Sequence, residues 1–290
     1  MNKNQDQETL DPQDWEKMRA LAHQMVNDSI DYLKTVRDRP VWQPMPEAVE
    51  KSFTTGVPEE PSEVSEVYEE FLKNVFPYPM GNIHPRFWSW YMGNGTVIGA
   101  LADLLAATMN PNMGGGNHAA ILLEAQVIDW MKAIMGLPKD ASGLLVSGGS
   151  MANLIGLTIA RNTIAGFDVR KLGIQSIDKK LTVYASSEVH SCNQKAVEML
   201  GLGSDCFRKI RVNHDYTIDI EQLRKTIDED IEAGYHPICV IATSGTVNTG
   251  AIDDLNAIAD LCRQYHVWFH VDGAIGAIAQ MSETVKPLLT

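Results

Sequence analysis

The stretch VWFHVDGA at residues 267–274 decides how this chain is expected to fold. Its opening apolar run is typical of a buried β-strand. Because side chains alternate along a strand, His270, Asp272 and Ala274 share one face, and a carboxylate emerges where the strand leaves the sheet. Ligands of open α/β sheets gather at this end of the strands. The carboxylate suits a metal, another cation or a protonated heterocycle, although an aspartate at this place is also a common turn or cap residue.

Strand and helix patterns alternate through the residues that precede this stretch. Apolar runs at 181–185, 207–212 and 239–242 predict strands, and each is followed by a segment with helical periodicity. Further helices are predicted after Ser150 and across 123–134. Continuous apolar strands between amphipathic helices indicate a largely parallel sheet that is covered on both faces. The predicted fold class is therefore α/β.

The first part of the chain has a different pattern. Its first predicted helix, with a plausible start at Asp11, carries an apolar stripe at helical spacing: Ala22, Val26, Ile30 and Leu33. Prolines between 40 and 61 indicate an extended connector, with a short helix near 63–73. This arm has too little core to stand alone. The sequence predicts a helical arm and connector over residues 1–75 and a large α/β domain over 76–290, incomplete at its C-terminal end.

Composition narrows the class of function. The chain has 290 residues, of which 44% are hydrophobic and 21% charged, as in globular proteins with a sizeable core. The formal net charge of −13 argues against a nucleic-acid partner, because phosphate binding needs clustered Lys and Arg. No apolar run approaches a membrane span, and the polar start Met1–Thr9 lacks the apolar region of a secretory signal. Four widely spaced cysteines without a CxxC pair favour reduced thiols in the cytoplasm over a zinc site or disulfides.

Three other predicted strand ends carry polar groups. The turn SGGSMAN at 147–153 leads into a helix, so it offers free N–H groups, a hydroxyl and a positive dipole end that suit a phosphate. His190 offers a flat ring, and Thr243–Thr246 offers hydroxyls. Taken alone, the turn and the histidine are more commonly explained by ordinary capping, and the hydroxyls could equally serve a helix cap. Together with Asp272 they describe a site for a phosphorylated aromatic cation such as pyridoxal 5′-phosphate, whose protonated ring nitrogen requires a carboxylate partner.

Taken in order, these motifs resemble those of the group II amino-acid decarboxylases that depend on pyridoxal phosphate, a family that includes aromatic-L-amino-acid, histidine and glutamate decarboxylases. The resemblance runs along nearly the whole chain and rests on an ordered set of motifs: His84–Trp88, Ala102-Asp103, Glu124, Asp129-Trp130, Ser147–Asn153, His190-Ser191, Gly245-Thr246 and His270–Asp272. It implies the large domain of fold type I, the aspartate aminotransferase fold of pyridoxal-phosphate-dependent transferases, preceded by a helical arm. The C-terminal small domain of that fold is expected to be absent.

The resemblance also implies roles for particular residues. Gly149 and Ser150 would bind the phosphate, and Asp272 would pair with the pyridine nitrogen. His190 would stack on one face of the ring, and Ala274 would pack against the other. His190 and Asp272 are thus the predicted catalytic residues, and no metal is expected.

Other implied contacts are less specific. Thr246 is a further predicted cofactor contact, although Val247 stands where many relatives have a second threonine. On the substrate side the candidates are Trp88, Asn94 and His118. The aromatic residues around Trp88 favour an aromatic substrate or, equally well, form part of a core. The segment 110–118 departs from the turn found in aromatic decarboxylases, which leaves the choice of substrate open.

The family's Schiff-base lysine is the missing element of the motif set. In relatives it follows the aspartate by roughly thirty residues, in a His-Lys pair. That position would lie past Thr290, and Lys286 is too near Asp272 and lacks a preceding histidine. We therefore expect a truncated enzyme whose 290 residues are inactive on their own.

Three hypotheses for function follow from the resemblance. The first is decarboxylation of an L-amino acid, preferably an aromatic one, to its amine by a homodimer in which each arm lies over the partner subunit. The second is related chemistry on the same fold, namely oxidative deamination to an aldehyde or cleavage of a carbon–carbon bond. The third is a lysine-less fragment that binds pyridoxal phosphate without catalysis.

Overall fold

The computed structural model describes residue 9, residues 11–176 and residues 178–289. The chain divides into two compact units, Met1–Pro111 and Asn112–Thr290. The domain boundary expected from the sequence, between residues 75 and 76, stays a prediction. In the described part of the chain, no helix has the length and apolar character that crossing a bilayer requires.

In its described residues, the regular structure of the first unit is helical. Its helices are α1 (Trp15–Thr35), α2 (Glu47–Ser52), α3 (Val64–Asn74) and α4 (Val97–Met109). The start of α1 predicted at Asp11 is wrong by a few residues, because Asp14 caps the helix by accepting from the backbone N–H groups of Glu16 and Lys17. The short helix expected near 63–73 is confirmed as α3. The Tyr68 hydroxyl of α3 donates to Asp28 of α1 at 2.8 Å and so links the two helices.

The second unit contains a parallel four-stranded sheet. Its strands are β1 (Leu181–Ser186), β2 (Phe207–Ile210), β3 (His236–Thr243) and β4 (Trp268–Asp272), in the spatial order β2-β1-β3-β4. The predicted strand at 207–212 ends two residues early, and Val212 instead forms an isolated antiparallel bridge with Ile218. The parallel α/β fold expected from the sequence is confirmed.

Helices cover both faces of this sheet. In chain order they are α5 (Ala119–Met135), α6 (Gly149–Ile164), α7 (Val169–Leu172), α8 (Ser191–Met199), α9 (Ile220–Glu232) and α10 (Leu255–Tyr265). One buried cluster joins Val183 of β1 to residues of α6 and α8, and a second joins the adjacent Tyr184 to residues of α9 and α10. Both faces are therefore buried, which explains why the strands are continuously apolar.

The residues after β4 form two 3₁₀ turns, Ala277–Met281 and Lys286–Leu288. The sequence suggested that 282–290 begins another helix-and-strand unit, and 282–289 show only turns and one of these short helices. Thr290 lies outside the described residues. The first turn stays close to the sheet edge, since Gly276 donates from its backbone N–H to the Ser244 carbonyl at 2.9 Å.

Candidate active site

The predicted site residues of the second unit follow the carboxyl ends of three adjacent strands. Asp272 is the last residue of β4, Thr246 follows β3, and His190 follows β1. Because the strands are parallel and neighbouring, their carboxyl ends lie at one edge of the sheet. Gly149, at the start of α6, also lies at this edge, since a Cβ added to it would stand 3.8 Å from the Cβ of Ala274. The sheet thus brings together four segments that are far apart in sequence.

Asp272 is a buried carboxylate, 7% exposed, that is fixed by amide donors. Its Oδ2 accepts from the side-chain amides of Asn153 at 3.0 Å and Asn193 at 2.9 Å. Its Oδ1 accepts only a longer bond, at 3.3 Å, from the backbone N–H of Ala274. Two donors on one oxygen compensate the loss of hydration that burial imposes on a carboxylate.

His270 shares a face of β4 with Asp272, as the strand alternation predicted. Its Nε2 lies 2.7 Å from the Oδ1 of Asn153, the same amide whose nitrogen donates to Asp272. Since the Asn153 oxygen has no proton to give, Nε2 of His270 donates. Burial lowers the pKa of His270, against the opposing effect of the Asp272 charge, so the ring is a neutral Nε2–H tautomer.

Helix α6 passes close to the His270 ring, and the residue at the point of close approach is a glycine. Gly156 lies in the middle of α6, where a glycine ordinarily destabilises a helix by about 0.5–1 kcal/mol relative to alanine. A Cβ at this position would stand 2.5 Å from Cε1 and 2.8 Å from Nδ1 of His270. The close approach of helix and ring explains this residue, and it fixes the distance from α6 to β4.

The turn before α6 has the geometry of an anion-binding helix start. Gly148 has a φ of +155°, and α6 begins at Gly149. The N–H groups of Gly149 and Ser150 belong to the first helical turn, which has no intrahelical acceptors, and they point along the positive end of the dipole. These features suit a phosphate group.

His190 and Thr246 have local structural partners. His190 is exposed and caps α8, with Nδ1 accepting from the backbone N–H of Cys192 at 3.3 Å. Thr246 is buried, and its hydroxyl lies 2.6 Å from that of Thr249 and accepts from the Ala251 N–H at 3.2 Å. The helix capping that the sequence allowed is present at His190, whereas the Thr246 hydroxyl bonds within its own loop. The contacts of both residues to a cofactor stay predictions.

None of the three candidate substrate residues takes part in the hydrogen bonds described above. Trp88 and Asn94 belong to the first unit, where both are exposed. His118 belongs to the second unit and immediately precedes α5, with its Nε2 lying 3.0 Å from the carbonyl of Asn112. Their roles toward a substrate stay predictions.

Sequence reasoning assigned no role to Asn153, Asn193 or His270, which form the inner part of the site. A signal was present: both asparagines lie near the amino-terminal ends of helices that follow the phosphate turn and β1. Asparagine is unfavourable in helix interiors because its side chain competes for backbone hydrogen bonds. Two such residues beside strand ends indicate side chains used for tertiary hydrogen bonds.

An open parallel sheet with a phosphate-type turn and a fixed carboxylate at its carboxyl edge defines a class of cofactor-binding α/β proteins. Residues 46–290 match the pyridoxal-dependent decarboxylase conserved domain. The chain therefore belongs to the pyridoxal-dependent decarboxylase family, and the resemblance seen in the sequence is confirmed. The cofactor of this family is pyridoxal phosphate, which agrees with the carboxylate and the phosphate-type turn at the sheet edge.

Individual relatives agree with this family. The chain is 35% identical to an aromatic-L-amino-acid decarboxylase of Bacillus atrophaeus over 94% of its own length. It is 30% identical to a phenylacetaldehyde synthase of Arabidopsis thaliana over 93% of its length. It spans 56% of each of these curated relatives.

A solved structure shows the same fold. It is the glutamate decarboxylase domain of diaminobutyrate-pyruvate transaminase and L-2,4-diaminobutyrate decarboxylase from Vibrio parahaemolyticus. The alignment has a TM-score of 0.86 at 25% identity and covers 98% of this chain and 62% of that one. The expected type I fold is thereby confirmed.

Gly156→Ala should destabilise the protein even though alanine is the better helix former. The added Cβ would push against the His270 ring, and overpacking of this kind costs about 1–3 kcal/mol, more than the helix gains. The free energy of unfolding, measured in urea, shows whether the clash outweighs the gain in helix propensity. In a His270→Ala background the same change should be neutral or stabilising, because the ring is gone. An equal loss in both backgrounds would contradict the clash.

His270 should make the protein less stable as the pH falls. Because its folded pKa is lowered, the unfolded state binds the proton first, so this contribution to stability is complete above about pH 6.5 and is lost below it. The free energy of unfolding, compared between about pH 7.5 and about pH 5.5, should therefore fall less in His270→Gln than in the unsubstituted protein. Identical losses in the two proteins would contradict a buried neutral His270.

Proposed function

We propose that this protein is a carboxy-lyase that uses pyridoxal phosphate to convert an L-amino acid, preferably an aromatic one, into its amine and carbon dioxide. The observation that carries the proposal is Asp272, a buried carboxylate fixed at the carboxyl edge of the sheet in a chain of the pyridoxal-dependent decarboxylase family. A carboxylate in this environment suits a protonated ring nitrogen. The substrate and the activity are carried over from relatives as part of the proposal.

The residues at the sheet edge fit the parts of the cofactor. When bound, pyridoxal phosphate supplies a ring that takes up the electron pair left behind by carbon dioxide. Asp272 would hold the proton on the ring nitrogen, which keeps the ring electron-poor. Gly149 and Ser150 would bind the phosphate through their N–H groups, and His190 and Ala274 would lie against the two faces of the ring.

Unpartnered polar atoms at the same edge support this fit. Among the described residues, the hydroxyls of Thr243 and Ser244 and the Oδ1 of Asn193 are buried without a hydrogen-bond partner. Buried polar atoms are rarely left in this condition. Thr243 is in register with Asp272 across β3 and β4, so its hydroxyl lies on the same face of the sheet. We expect Thr246, which follows on the same loop, to complete this polar edge.

Two alternatives share the same site. Formation of an aldehyde by oxidative deamination is the second candidate, and the similarity to a phenylacetaldehyde synthase favours it specifically. Binding of the cofactor without catalysis is the third. The first is preferred because the family description and the more similar of the two curated relatives both name a decarboxylase.

The gene product that contains this chain should release an amine and carbon dioxide from an aromatic L-amino acid in the presence of pyridoxal phosphate. Asp272→Ala should lose both activity and most cofactor affinity, because nothing then balances a protonated ring nitrogen. Asp272→Glu should retain part of each. Product analysis by mass spectrometry and cofactor titration by absorbance provide the measurements.

The exposed acid Asp260, on α10, provides the matched control, and Asp260→Ala should leave both quantities unchanged. An aldehyde with ammonia in place of the amine would favour the second candidate. Normal decarboxylation by Asp272→Ala would contradict the role given to the carboxylate.

We also propose that the protein is a cytoplasmic homodimer, held together in part by its first helix. Helix α1 contains no buried residue, and Met25 and Ile30 are 42% and 38% exposed. These side chains and others from α4 line an apolar groove of about 200 Å³ within the first unit. One self-complementary interface would cover this surface in both subunits. The cytoplasm is favoured because all four cysteines are buried free thiols.

Deleting residues 1–39 from the gene product should therefore give monomers or aggregates. The point variant Ile30→Lys should weaken the dimer, because it places a charge in an apolar contact, whereas Asp31→Lys at the next, exposed position should not. Light scattering measures the molar mass. An intact dimer after the deletion would refute the proposed interface.

A further inference from the structure

We infer that Asn153 is a positioning residue for the cofactor, an amide bridge between His270 and Asp272 that leaves Oδ1 of the carboxylate to face the ring nitrogen. The inference rests on the proposed function, since it concerns the same carboxylate. It adds residues that do not themselves touch the cofactor but set the direction from which Asp272 meets it.

All the hydrogen-bonding groups of Asn153 are occupied. Its Oδ1 accepts from His270 at 2.7 Å, and its Nδ2 donates to Asp272 at 3.0 Å and approaches the Cys192 sulfur at 3.4 Å. Asn153 is 4% exposed, so water does not compete for these bonds. By contrast, the buried Oδ1 of Asn193 has no partner among the described residues. Asn153 is therefore the more firmly fixed of the two amides that hold Asp272.

Asp272 and His270 together decide which way round the amide lies. An asparagine side chain has an acceptor end and a donor end of nearly equal size, and only its partners distinguish them. The Asp272 carboxylate can only accept, so the amide nitrogen faces it and the amide oxygen faces His270, whose Nε2–H then holds that oxygen in place. A flipped amide would direct its oxygen at Asp272 and leave the His270 proton without an acceptor.

The bridge separates the two oxygens of Asp272 by function. Oδ2 receives both amide bonds, at 3.0 and 2.9 Å, whereas Oδ1 receives one long backbone bond at 3.3 Å. The amides thus occupy Oδ2, and Oδ1 keeps an acceptor direction for a ring N–H. Loss of the bridge should weaken the interaction with the ring nitrogen selectively.

The test compares two probes that differ only at that nitrogen. Pyridoxal 5′-phosphate and its 1-deaza analogue, in which C–H replaces the ring nitrogen, are titrated into the gene product. Asn153→Leu removes the amide at similar size and should reduce the affinity for pyridoxal phosphate about tenfold or more, as expected for lost hydrogen bonds to a charged group. Affinity for the deaza analogue should change less than about twofold.

Matched variants separate the bridge from general damage. Asn162→Leu makes the same substitution on the same helix outside the site and should change neither affinity. His270→Gln keeps a neutral N–H donor toward Asn153 and should retain the preference for pyridoxal phosphate. His270→Leu removes that donor, and this variant should lose the preference for pyridoxal phosphate over the deaza analogue.

A second readout needs no cofactor. Nitrogen NMR of the imidazole should show a neutral Nε2–H tautomer in the unsubstituted protein, and this tautomer should lose its dominance in Asn153→Leu. The same loss of affinity for both probes would overturn the inference, because a purely structural role weakens both alike. An unchanged preference or an unchanged imidazole spectrum would overturn it as well. If the unsubstituted protein bound neither probe, the proposed function would fail, and the imidazole spectrum alone would decide the bridge.

Discussion

A carboxylate taken out of water needs donors, and in this protein the buried Asp272 obtains them from two helices. Asn153 of α6 and Asn193 of α8 both reach its Oδ2, so the end of β4 is joined to the two helices that cover one face of the sheet. The cost of burying an uncompensated charge makes these contacts mutually dependent. The positions of both helix starts, and hence of the groups that would bind a phosphate and cover a ring, follow from this one carboxylate.

Space is the second constraint on the site. The His270 ring lies so close to α6 that only glycine fits at position 156, and the ring in turn orients the Asn153 amide. A conformational requirement acts at the start of the same helix, where Gly148 has a φ of +155°. Two glycines of α6 and its preceding turn therefore serve the geometry of the site, at the expense of local helix propensity.

Membership of the pyridoxal-dependent decarboxylase family explains why the phosphate-type turn and the fixed carboxylate lie at one edge of the sheet. A cofactor with a phosphate at one end and a ring nitrogen at the other needs an anion site and a carboxylate held at a fixed separation. A parallel sheet provides this because its strand ends and the following helix starts are rigid neighbours. Relatives named for decarboxylation and for aldehyde formation both resemble this chain, so membership of the family identifies the cofactor and does not by itself decide the product.

The sequence alone determined the parallel α/β fold, the family and the shared face of His270 and Asp272, because these depend on local periodicity and on short motifs. It misplaced the start of α1 and the end of β2, where a capping carboxylate and an isolated bridge decided the boundaries. It also passed over Asn153, Asn193 and Gly156. The two asparagines matter because of their partner Asp272, which lies 79 residues from Asn193 and 119 residues from Asn153 along the chain. Only the tertiary structure brings those partners within hydrogen-bonding distance, so only the structure shows what holds Asp272 in place.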